Sequence, residues 1–491
     1  MKRKRIIYFN DARHYYLFVF EPPMTLADAW VPIDEAAGTS VDTFCYGVER
    51  GDGLFYPSRV GMRFGADMAT FEQAAYWRVW HNMQSLIDRG LDPLTVLVDR
   101  AHDKGMDFIA SLRMTGHGGM DPEHRLENGG GGLAHQEVRD HQFAVVEELV
   151  TEYATDGVEL DFALPGGGPR VLRPGDVESH TPVLTEYVAM ISEMVRSRKG
   201  GPGQVGVRVL PTEETNVEQG LDVRAWLREG LVDFVVPMYY AYFILDPNMP
   251  VDWLIDAAAD ADISVYGALQ PYVHDEQTGA SGRAWATPDQ MRAAVANLYA
   301  KGADGMYTWF MRWPLGDAER RILTELGDPD LVAVGDKHYV LARTALNASE
   351  SHYKCHLPLE IPSTDKGSRH GIPFYLADDI AGAAGDRIRQ IRLRVKIDDL
   401  VTADRLRFFL NGQSLEGEHC LRSSSSEVAP YMGQWLEFHL REVLPRQGDN
   451  LLEVSLEIRA DGLVSPLKVA EVEVLIEYGP YPSSPRFRGG G

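Results

Sequence analysis

The chain has 491 residues, of which 44% are hydrophobic and 24% are charged. This composition is typical of folded globular proteins, and the length suits two or three domains. The net charge of -24 disfavours nucleic acids and anionic membranes as partners, because both would repel the chain. The three cysteines lie far apart and match neither a zinc motif nor a disulfide framework. No apolar stretch reaches the ~18 residues of a membrane span, and no signal peptide is recognised, so we expect a cytoplasmic protein.

Short apolar runs alternate with helical segments from residue 1 to about residue 325, which indicates a parallel α/β fold. Eight strands with intervening helices over this length predict a (β/α)₈ barrel. A doubly wound sheet is the alternative, but no GxGxxG motif follows the first strand. The predicted strands are 6–10, 43–47, 107–113, 157–162, 205–210, 234–239, 264–270 and 305–310, and the clearest helices are 71–89, 94–104, 181–196 and 287–301.

After Asp336 the pattern changes to a strict alternation of apolar and polar residues. This period of two, with turns such as Asn411-Gly412, predicts antiparallel strands that pack as a β-sandwich. The predicted division is therefore 1–330 for a catalytic barrel, 331–375 for a linker and 376–491 for an accessory sandwich. The apolar positions that carry the alternation are Ile391, Leu393, Val395, Ile397, Leu452, Val454, Leu456, Ile458, Val472, Val474, Ile476 and Tyr478.

The fourth predicted strand ends in two acids, Glu159 and Asp161. Side chains alternate along a strand, so these carboxylates point to one face, roughly 6.5–7 Å apart along the backbone. Burying two acids costs desolvation unless they face a cleft or have partners. Glycoside hydrolysis uses carboxyl pairs about 5–9.5 Å apart, so a carbohydrate-active site is the first hypothesis. A buried ion-pair network with Arg113 and Arg208 is the structural alternative.

Residues at the other predicted strand ends should meet these acids, because a (β/α)₈ barrel carries its chemistry at the C-terminal ends of its strands. Aromatic faces stack on sugar rings, while acids and arginines handle charge and protons. Some of these aromatics could equally be core residues, and Glu213 and Glu214 could lie on a solvated loop. The candidates for substrate binding are Asp11, Arg113, His117, Arg208, Tyr239, Tyr240, Gln270, Tyr272, Trp309 and Trp313. His117 shows no metal-ligand spacing.

The barrel half resembles the glycoside hydrolase superfamily. The segment 135–140, His-Gln-Glu-Val-Arg-Asp, followed by Asp156-Gly157-Val158-Glu159-Leu160-Asp161, is similar to the "glycosyl hydrolase-like 10" group. The Asp-Gly-x-x-x-Asp pattern also resembles the alpha-amylase family, and this implies Asp161 as nucleophile. The proton donor would be Glu213 or Glu214 after strand five. Met238-Tyr239-Tyr240 and Trp309 resemble chitinase-like family 18.

Two departures from these families bear on the assignment. Ala163 stands where family 18 places its catalytic Glu, and Glu159 stands where amylases have an Arg. Glu159 could thus be the acid/base itself. The C-terminal half resembles galactose-binding-like or jelly-roll modules, through Leu410-Asn411-Gly412 and the segment 448–454.

The sequence therefore predicts a glycoside hydrolase-like enzyme that acts on an oligosaccharide, a polysaccharide or a glycoside. The carboxylates of strands four and five, Asp161, Glu159, Glu213 and Glu214, would do the chemistry. We expect a carbohydrate substrate, no cofactor and no metal, and regular sandwich edges that could pair in a homo-oligomer. A carbohydrate-binding protein without activity and a barrel lyase or isomerase remain alternatives.

Overall fold

The computed structural model describes residues 4–11, 17–50, 53–114, 122–124, 132–163, 171–238, 243–275, 282–343, 355–382, 387–426 and 433–479. Its N-terminal part is a closed barrel of eight parallel strands, as predicted, in the spatial order β1-β8-β7-β6-β5-β4-β3-β2. These strands are β1 (Arg5–Asp11), β2 (Thr43–Gly47), β3 (Asp107–Arg113), β4 (Gly157–Asp161), β5 (Gln204–Val209), β6 (Phe234–Pro237), β7 (Ser264–Leu269) and β8 (Gly305–Thr308).

Helices connect the barrel strands, and one of them shows clear local signals at both of its ends. Thr287 caps one helix in a capping box with Gln290, Pro288 occupies its first turn, and left-handed Gly302 ends it. The helices are α1 (Leu26–Ala36), α2 (Ala74–Ile87), α3 (Pro93–Asp103), α4 (Gln136–Thr151), α5 (Val177–Ser197), α6 (Glu213–Glu218), α7 (Val223–Arg228), α8 (Asp252–Ala259), α9 (Pro288–Lys301), α10 (Asp317–Glu325) and α11 (Pro329–Ala333). None of the helices in the described ranges is long and apolar enough to cross a lipid bilayer.

The C-terminal part forms two antiparallel sheets around a second apolar core, as predicted. One sheet has the order β9-β18-β12-β16-β15, with β10 also beside β18, and the other has the order β11-β17-β13-β14. The strands are β9 (Lys337–Val340), β10 (Leu359–Ile361), β11 (Arg369–Leu376), β12 (Ile388–Asp398), β13 (Arg405–Leu410), β14 (Gln413–Ser414), β15 (His419–Ser424), β16 (Gly433–Leu440), β17 (Gly448–Ile458) and β18 (Leu467–Tyr478). Two short hairpins, Glu49–Arg50 with Gly53–Leu54 and Tyr272–His274 with Arg283–Trp285, extend from the barrel.

Strands β9 and β10 and all but the last residue of β11 lie within the predicted linker, residues 331–375. Pro373 obscures β11 in the sequence, and an edge strand tolerates proline because one of its sides needs no ladder bond. Ile458 also differs from its predicted inward orientation, since 52% of it is exposed. The register between β13 and β17 shifts beside it, and a shift of one residue turns the following side chain outward.

Asn297 on α9 joins the barrel to the sandwich. Its side-chain amide donates to the backbone oxygens of Pro247 and Tyr375, each at 2.9 Å, and its side-chain oxygen accepts from Ala377 N at 2.9 Å. Helix α9 also packs against β9. A fully buried amide with its hydrogen bonds satisfied on both sides fixes the two parts against each other.

Candidate functional site

The parallel register brings charged residues of three strands into one layer inside the barrel. Arg113 of β3 lies opposite Asp161 of β4, which lies opposite Arg208 of β5. One layer lower, Ser111 lies opposite Glu159. Ser111 and Arg113 are two positions apart on β3, as Glu159 and Asp161 are on β4, so the side chains of each pair share a face of the sheet.

The glycine that precedes the two acids is required by the close approach of β5. A Cβ at Gly157 would lie 2.2 Å from the backbone oxygen of Gln204, which is too short for any side chain. Asp156 accepts from Phe108 N at 2.7 Å, and its carboxylate lies 2.9 Å from His102 Nε2, so it fixes the entry to β4. The Asp-Gly pair thus shapes the backbone, while the chemistry lies at the other end of the strand.

Arg208 bridges the two acids of β4. Its Nη1 lies 3.1 Å from Asp161 Oδ2, and its Nη2 donates to Glu159 Oε1. The same Glu159 oxygen accepts from Ser111 Oγ at 2.7 Å and from Tyr307 OH at 3.3 Å. Both side chains of the Arg208–Glu159 pair are 0% exposed, so this pair lies in a low-dielectric interior where unbalanced charge is costly.

One guanidinium charge cannot balance two carboxylates, and several polar atoms of this cluster have no hydrogen-bond partner in the described part of the chain. These atoms are Asp161 Oδ1, Glu159 Oε2 and Arg208 Nε. Burial raises the pKa of Asp161 to about 7, and the neighbouring Glu159 acts in the same direction, while Arg208 and Arg113 act against it. A carboxyl group with this pKa is protonated in part at neutral pH, and its Oδ1 has no partner among the described residues.

Arg113 binds a second group of acids, which lies toward the mouth of the barrel. Its Nη2 donates to Asp11 Oδ2 at 3.0 Å, and its backbone N–H donates to Glu49 Oε1 at 2.8 Å. The Arg113 side chain is partly exposed, whereas Asp11 and Glu49 are buried. Glu49 also acts on the pKa of Asp161. Glu49 lies just after β2, where strand-end counting reaches it, but it is not among the predicted site residues.

Aromatic rings enclose the guanidinium of Arg208 from the β1 and β8 side. Its Cζ lies 4.5 Å from the ring centroid of Phe9 and 4.7 Å from that of Trp309. These two rings stack with centroids 4.3 Å apart. Trp309, a predicted sugar contact, is thus buried, and it packs on Arg208 like Tyr307. Gln270, another predicted contact, is buried at the end of β7.

A half-exposed aromatic cluster lies beyond the end of β7. Tyr272 packs 4.6 Å from Trp285 across the short hairpin, and both rings contact Phe310. Phe243 links this cluster to Trp309 at 5.3 Å. Phe243 has a φ of 60°, a conformation that is rare for a bulky residue and is found where surrounding contacts impose it.

Other predicted site residues lie apart from this cluster. Trp313 packs edge-on against Phe20 at 5.9 Å, and its indole interacts with Glu35 of α1. Glu213 starts α6 and forms a two-point ion pair with Arg224, which holds the pKa of the Glu213 carboxyl below its usual range. Glu214 is exposed on the same turn. The predictions at His117, Tyr239 and Tyr240 fall outside the described residues.

The strand-end cluster is poorly suited to a cation. Although Asp11, Glu159 and Asp161 supply oxygen atoms, two guanidinium groups already lie among them and would repel a metal ion. The arrangement instead fits a polar or anionic ligand group beside Arg113 and proton transfer at Asp161.

No protein-family model and no curated protein sequence matches the chain. Among solved structures, it is similar to a cycloisomaltooligosaccharide glucanotransferase from Paenibacillus sp., with 9% identity, 96% of this chain and 57% of that chain covered, and a TM-score of 0.35. It is also similar to alpha-L-fucosidase isoenzyme 2 from Paenibacillus thiaminolyticus, with 13% identity, 67% and 49% covered, and a TM-score of 0.40. For alpha-L-fucosidase from Vibrio sp. strain EJY3 the values are 10% identity, 98% and 97% covered, and a TM-score of 0.41.

The chain spans about half the length of the first two of these proteins. All three are carbohydrate-active enzymes by name.

Proposed function

We propose that this chain is a glycoside hydrolase-like enzyme that cleaves a glycosidic bond at the C-terminal end of its barrel. The observation that carries the proposal is the Asp161 carboxyl. This carboxyl group is buried at the end of β4, and burial raises its pKa to about 7. Its Oδ2 pairs with Arg208, and its Oδ1 has no hydrogen-bond partner in the described ranges. A carboxyl group with such a pKa can deliver and recover a proton at neutral pH.

Asp161 acts in this proposal as the acid/base rather than as the nucleophile, because a nucleophilic carboxylate must be ionised. Glu159 is not assigned this role, because its Oε1 already accepts hydrogen bonds from Ser111, Arg208 and Tyr307. Asp11, held by Arg113 nearer to the barrel mouth, supplies a second carboxylate for the oxocarbenium-like charge.

The substrate in this proposal is an oligosaccharide, a polysaccharide or a glycoside. Tyr272 and Trp285 offer half-exposed aromatic faces beyond β7 for the apolar side of a sugar ring. Arg113 offers a partly exposed guanidinium that can bind hydroxyl, carboxylate or sulfate oxygens. Both lie on the side of the barrel where strand ends gather catalytic groups.

Hydrolysis of a broad panel of aryl glycosides and oligosaccharides tests this proposal. Wild type should cleave a member of the panel, and Asp161→Asn should lose about 10²–10⁴-fold in kcat/KM. Glu213→Gln is a matched control, because it neutralises an acid in an exposed ion pair. Intact substrates with wild type, or equal rates for wild type and Asp161→Asn, would refute the proposal.

A carbohydrate-binding barrel without hydrolytic activity is the second candidate. The complete burial of Arg208, Glu159 and Asp161 favours it, because such a triad can serve the structure alone. Calorimetric titration would then detect sugar binding to wild-type protein while every substrate of the panel stays intact. Asp161→Asn would change the stability of that protein but not its affinity for the sugar.

A further inference from the structure

Two histidines and a glutamate converge in the connection between β3 and α4. His124 ends a short 3₁₀ turn, His135 immediately precedes α4, and Glu137 lies in the first turn of that helix. One ligand atom of each residue lies within 4.8 Å of the ligand atoms of the other two. Both histidines are half-buried and Glu137 is exposed, so a solute ion can reach the group.

The backbone before α4 is fixed by its own hydrogen bonds. Arg139 donates to the carbonyl oxygens of Leu133 and Ala134 at 2.6 and 3.0 Å, and Leu133 N donates to Val171 O at 3.1 Å. His135 takes an extended conformation at the N-cap and makes no capping bond with its side chain. The extended backbone at His135 lets its imidazole share a side with Glu137.

The two imidazole rings lie close together. His124 and His135 stack with centroids 4.5 Å apart and an angle of 28° between their planes. Tetrahedral coordination at zinc–nitrogen bonds of ~2.0–2.1 Å needs ligand atoms about 3.4 Å apart. The three ligand atoms are at most 4.8 Å apart, so adjustments of about 1.5 Å in side chains at the surface would complete the geometry.

We propose that His124, His135 and Glu137 bind one divalent transition-metal ion of the zinc type. Two imidazole nitrogens and one carboxylate oxygen form a ligand set that such ions prefer over calcium or magnesium, and a water molecule can fill a fourth position. The ion joins the β3–α4 connection to the start of α4, on the barrel side where β3 and β4 end. This site is separate from the proposed hydrolysis and does not depend on it.

This proposal departs from the sequence-based expectation of no metal. The ligands come from two segments whose separation matches no zinc motif, and His124 lies beside His135 only in the three-dimensional structure. The proposal assigns a function to part of the segment 135–140, which carried the resemblance to glycoside hydrolases but contributes no residue to the strand-end cluster.

Zinc titration of chelator-treated full-length protein, followed by calorimetry, tests the site. Wild type should bind one equivalent, and His124→Ala and His135→Ala should each weaken binding by at least about tenfold. His419→Ala is the matched control, because His419 is an exposed residue that also lies close to another histidine, His439. It should bind zinc like wild type.

Cobalt provides a second readout, because visible absorption of bound Co²⁺ reports tetrahedral nitrogen and oxygen ligation. Wild type should show this absorption, and His135→Ala should lose it while keeping the melting temperature of metal-free wild type. Absence of zinc binding by wild type, or binding that stays unchanged in both histidine variants, would overturn the proposal. Neither result depends on a sugar substrate, so failure here leaves the hydrolysis proposal separately testable.

Discussion

The barrel and the sandwich each bury a cluster of charges, and the two clusters differ in balance. In the sandwich, the side chains of Lys337 and Asp378 are both 0% exposed, and Lys337 Nζ lies 2.9 Å from Asp378 Oδ1. Asp378 also accepts from the hydroxyls of Tyr339 and Tyr478, so both of its oxygens are used. Lys337 Nζ also donates to the backbone oxygens of Ala333 and Gly335, at 3.0 and 3.1 Å.

In the barrel, one guanidinium faces two carboxylates. Asp161 Oδ1, Glu159 Oε2 and Arg208 Nε have no hydrogen-bond partner within the described ranges. Both clusters are buried. The pair in the sandwich is neutral and has its hydrogen bonds satisfied, whereas the triad in the barrel has an excess of acid and unsatisfied polar atoms. Unsatisfied buried polar groups are tolerated where a substrate or a proton can bind to them. This contrast indicates that the barrel cluster is the functional one.

The largest expected effect is on catalysis. Asp161→Asn keeps the shape of the side chain but cannot transfer a proton, so kcat/KM should fall by about 10²–10⁴-fold, equivalent to roughly 3–5 kcal/mol in the barrier. The measurement is hydrolysis of the best panel substrate across a series of pH values. If Asp161→Asn keeps a kcat/KM within about threefold of the wild-type value, the barrel cluster has only a structural role, like the cluster in the sandwich.

Removing the cation of the sandwich cluster should act on stability. Lys337→Met leaves Asp378 buried without its cation, so the free energy of unfolding should fall by about 3–5 kcal/mol. Denaturant unfolding measures this change. The kcat/KM of the folded variant should match wild type, because Lys337 lies in the sandwich, and a selective loss of activity would break the contrast.

The pH dependence of stability should distinguish Asp161 from other acids. Its pKa rises from an ordinary value of 3.8 to about 7 in the folded chain. Between these values the folded protein keeps a proton that the unfolded chain releases, so this contribution to stability is complete at low pH and disappears as pH rises through about 7. Unfolding measured in parallel should show that Asp161→Asn lacks this decline, which is of order 1–4 kcal/mol. Identical pH slopes in the two proteins would contradict the raised pKa.

Arg113 should affect substrate binding more than folding. Arg113→Ala removes a partly exposed guanidinium that holds Asp11, and KM should rise about tenfold for substrates that carry carboxylate or sulfate groups. Steady-state kinetics on charged and neutral glycosides provide the test. If the variant cleaves both classes as wild type does, Arg113 has no role in binding.

The smallest effect is expected at Glu213. Its ion pair with Arg224 is exposed, and such pairs contribute about 0–1 kcal/mol. Glu213→Gln should therefore change the free energy of unfolding by less than ~1 kcal/mol and leave kcat/KM within about twofold of wild type. A large loss of activity without unfolding would instead indicate that Glu213, after strand five, is the proton donor, as the family resemblance implies.

Much of the fold is predictable because its signals are local. Apolar runs identify all eight barrel strands within one or two residues at their ends, and the period-two alternation identifies the sandwich. The strands β9 to β11 are harder to predict, since Pro362 and Pro373 interrupt the pattern and their pairing depends on the distant β17 and β18. The outward turn of Ile458 requires a register shift that one sequence cannot show.

The site is predictable in part, for a different reason. Strand-end counting selects Asp161, Arg113, Arg208 and Asp11, because the register of a parallel barrel follows from where each strand ends. Strand-end counting cannot show that Glu213 forms an ion pair with Arg224, or that Trp309 packs on Arg208 inside the barrel. These contacts depend on side-chain orientation between distant segments, as does the meeting of His124 with His135.

The most direct test of the functional contrast is a titration of the Asp161 carboxyl itself. Infrared difference spectra between wild type and Asp161→Asn, recorded from about pH 5 to about pH 9, should contain a protonated-carboxyl band that disappears near pH 7. This result would establish a proton-exchanging acid at the end of β4. A carboxylate that stays ionised throughout the series would make the barrel triad a structural ion pair, like that of Lys337 and Asp378.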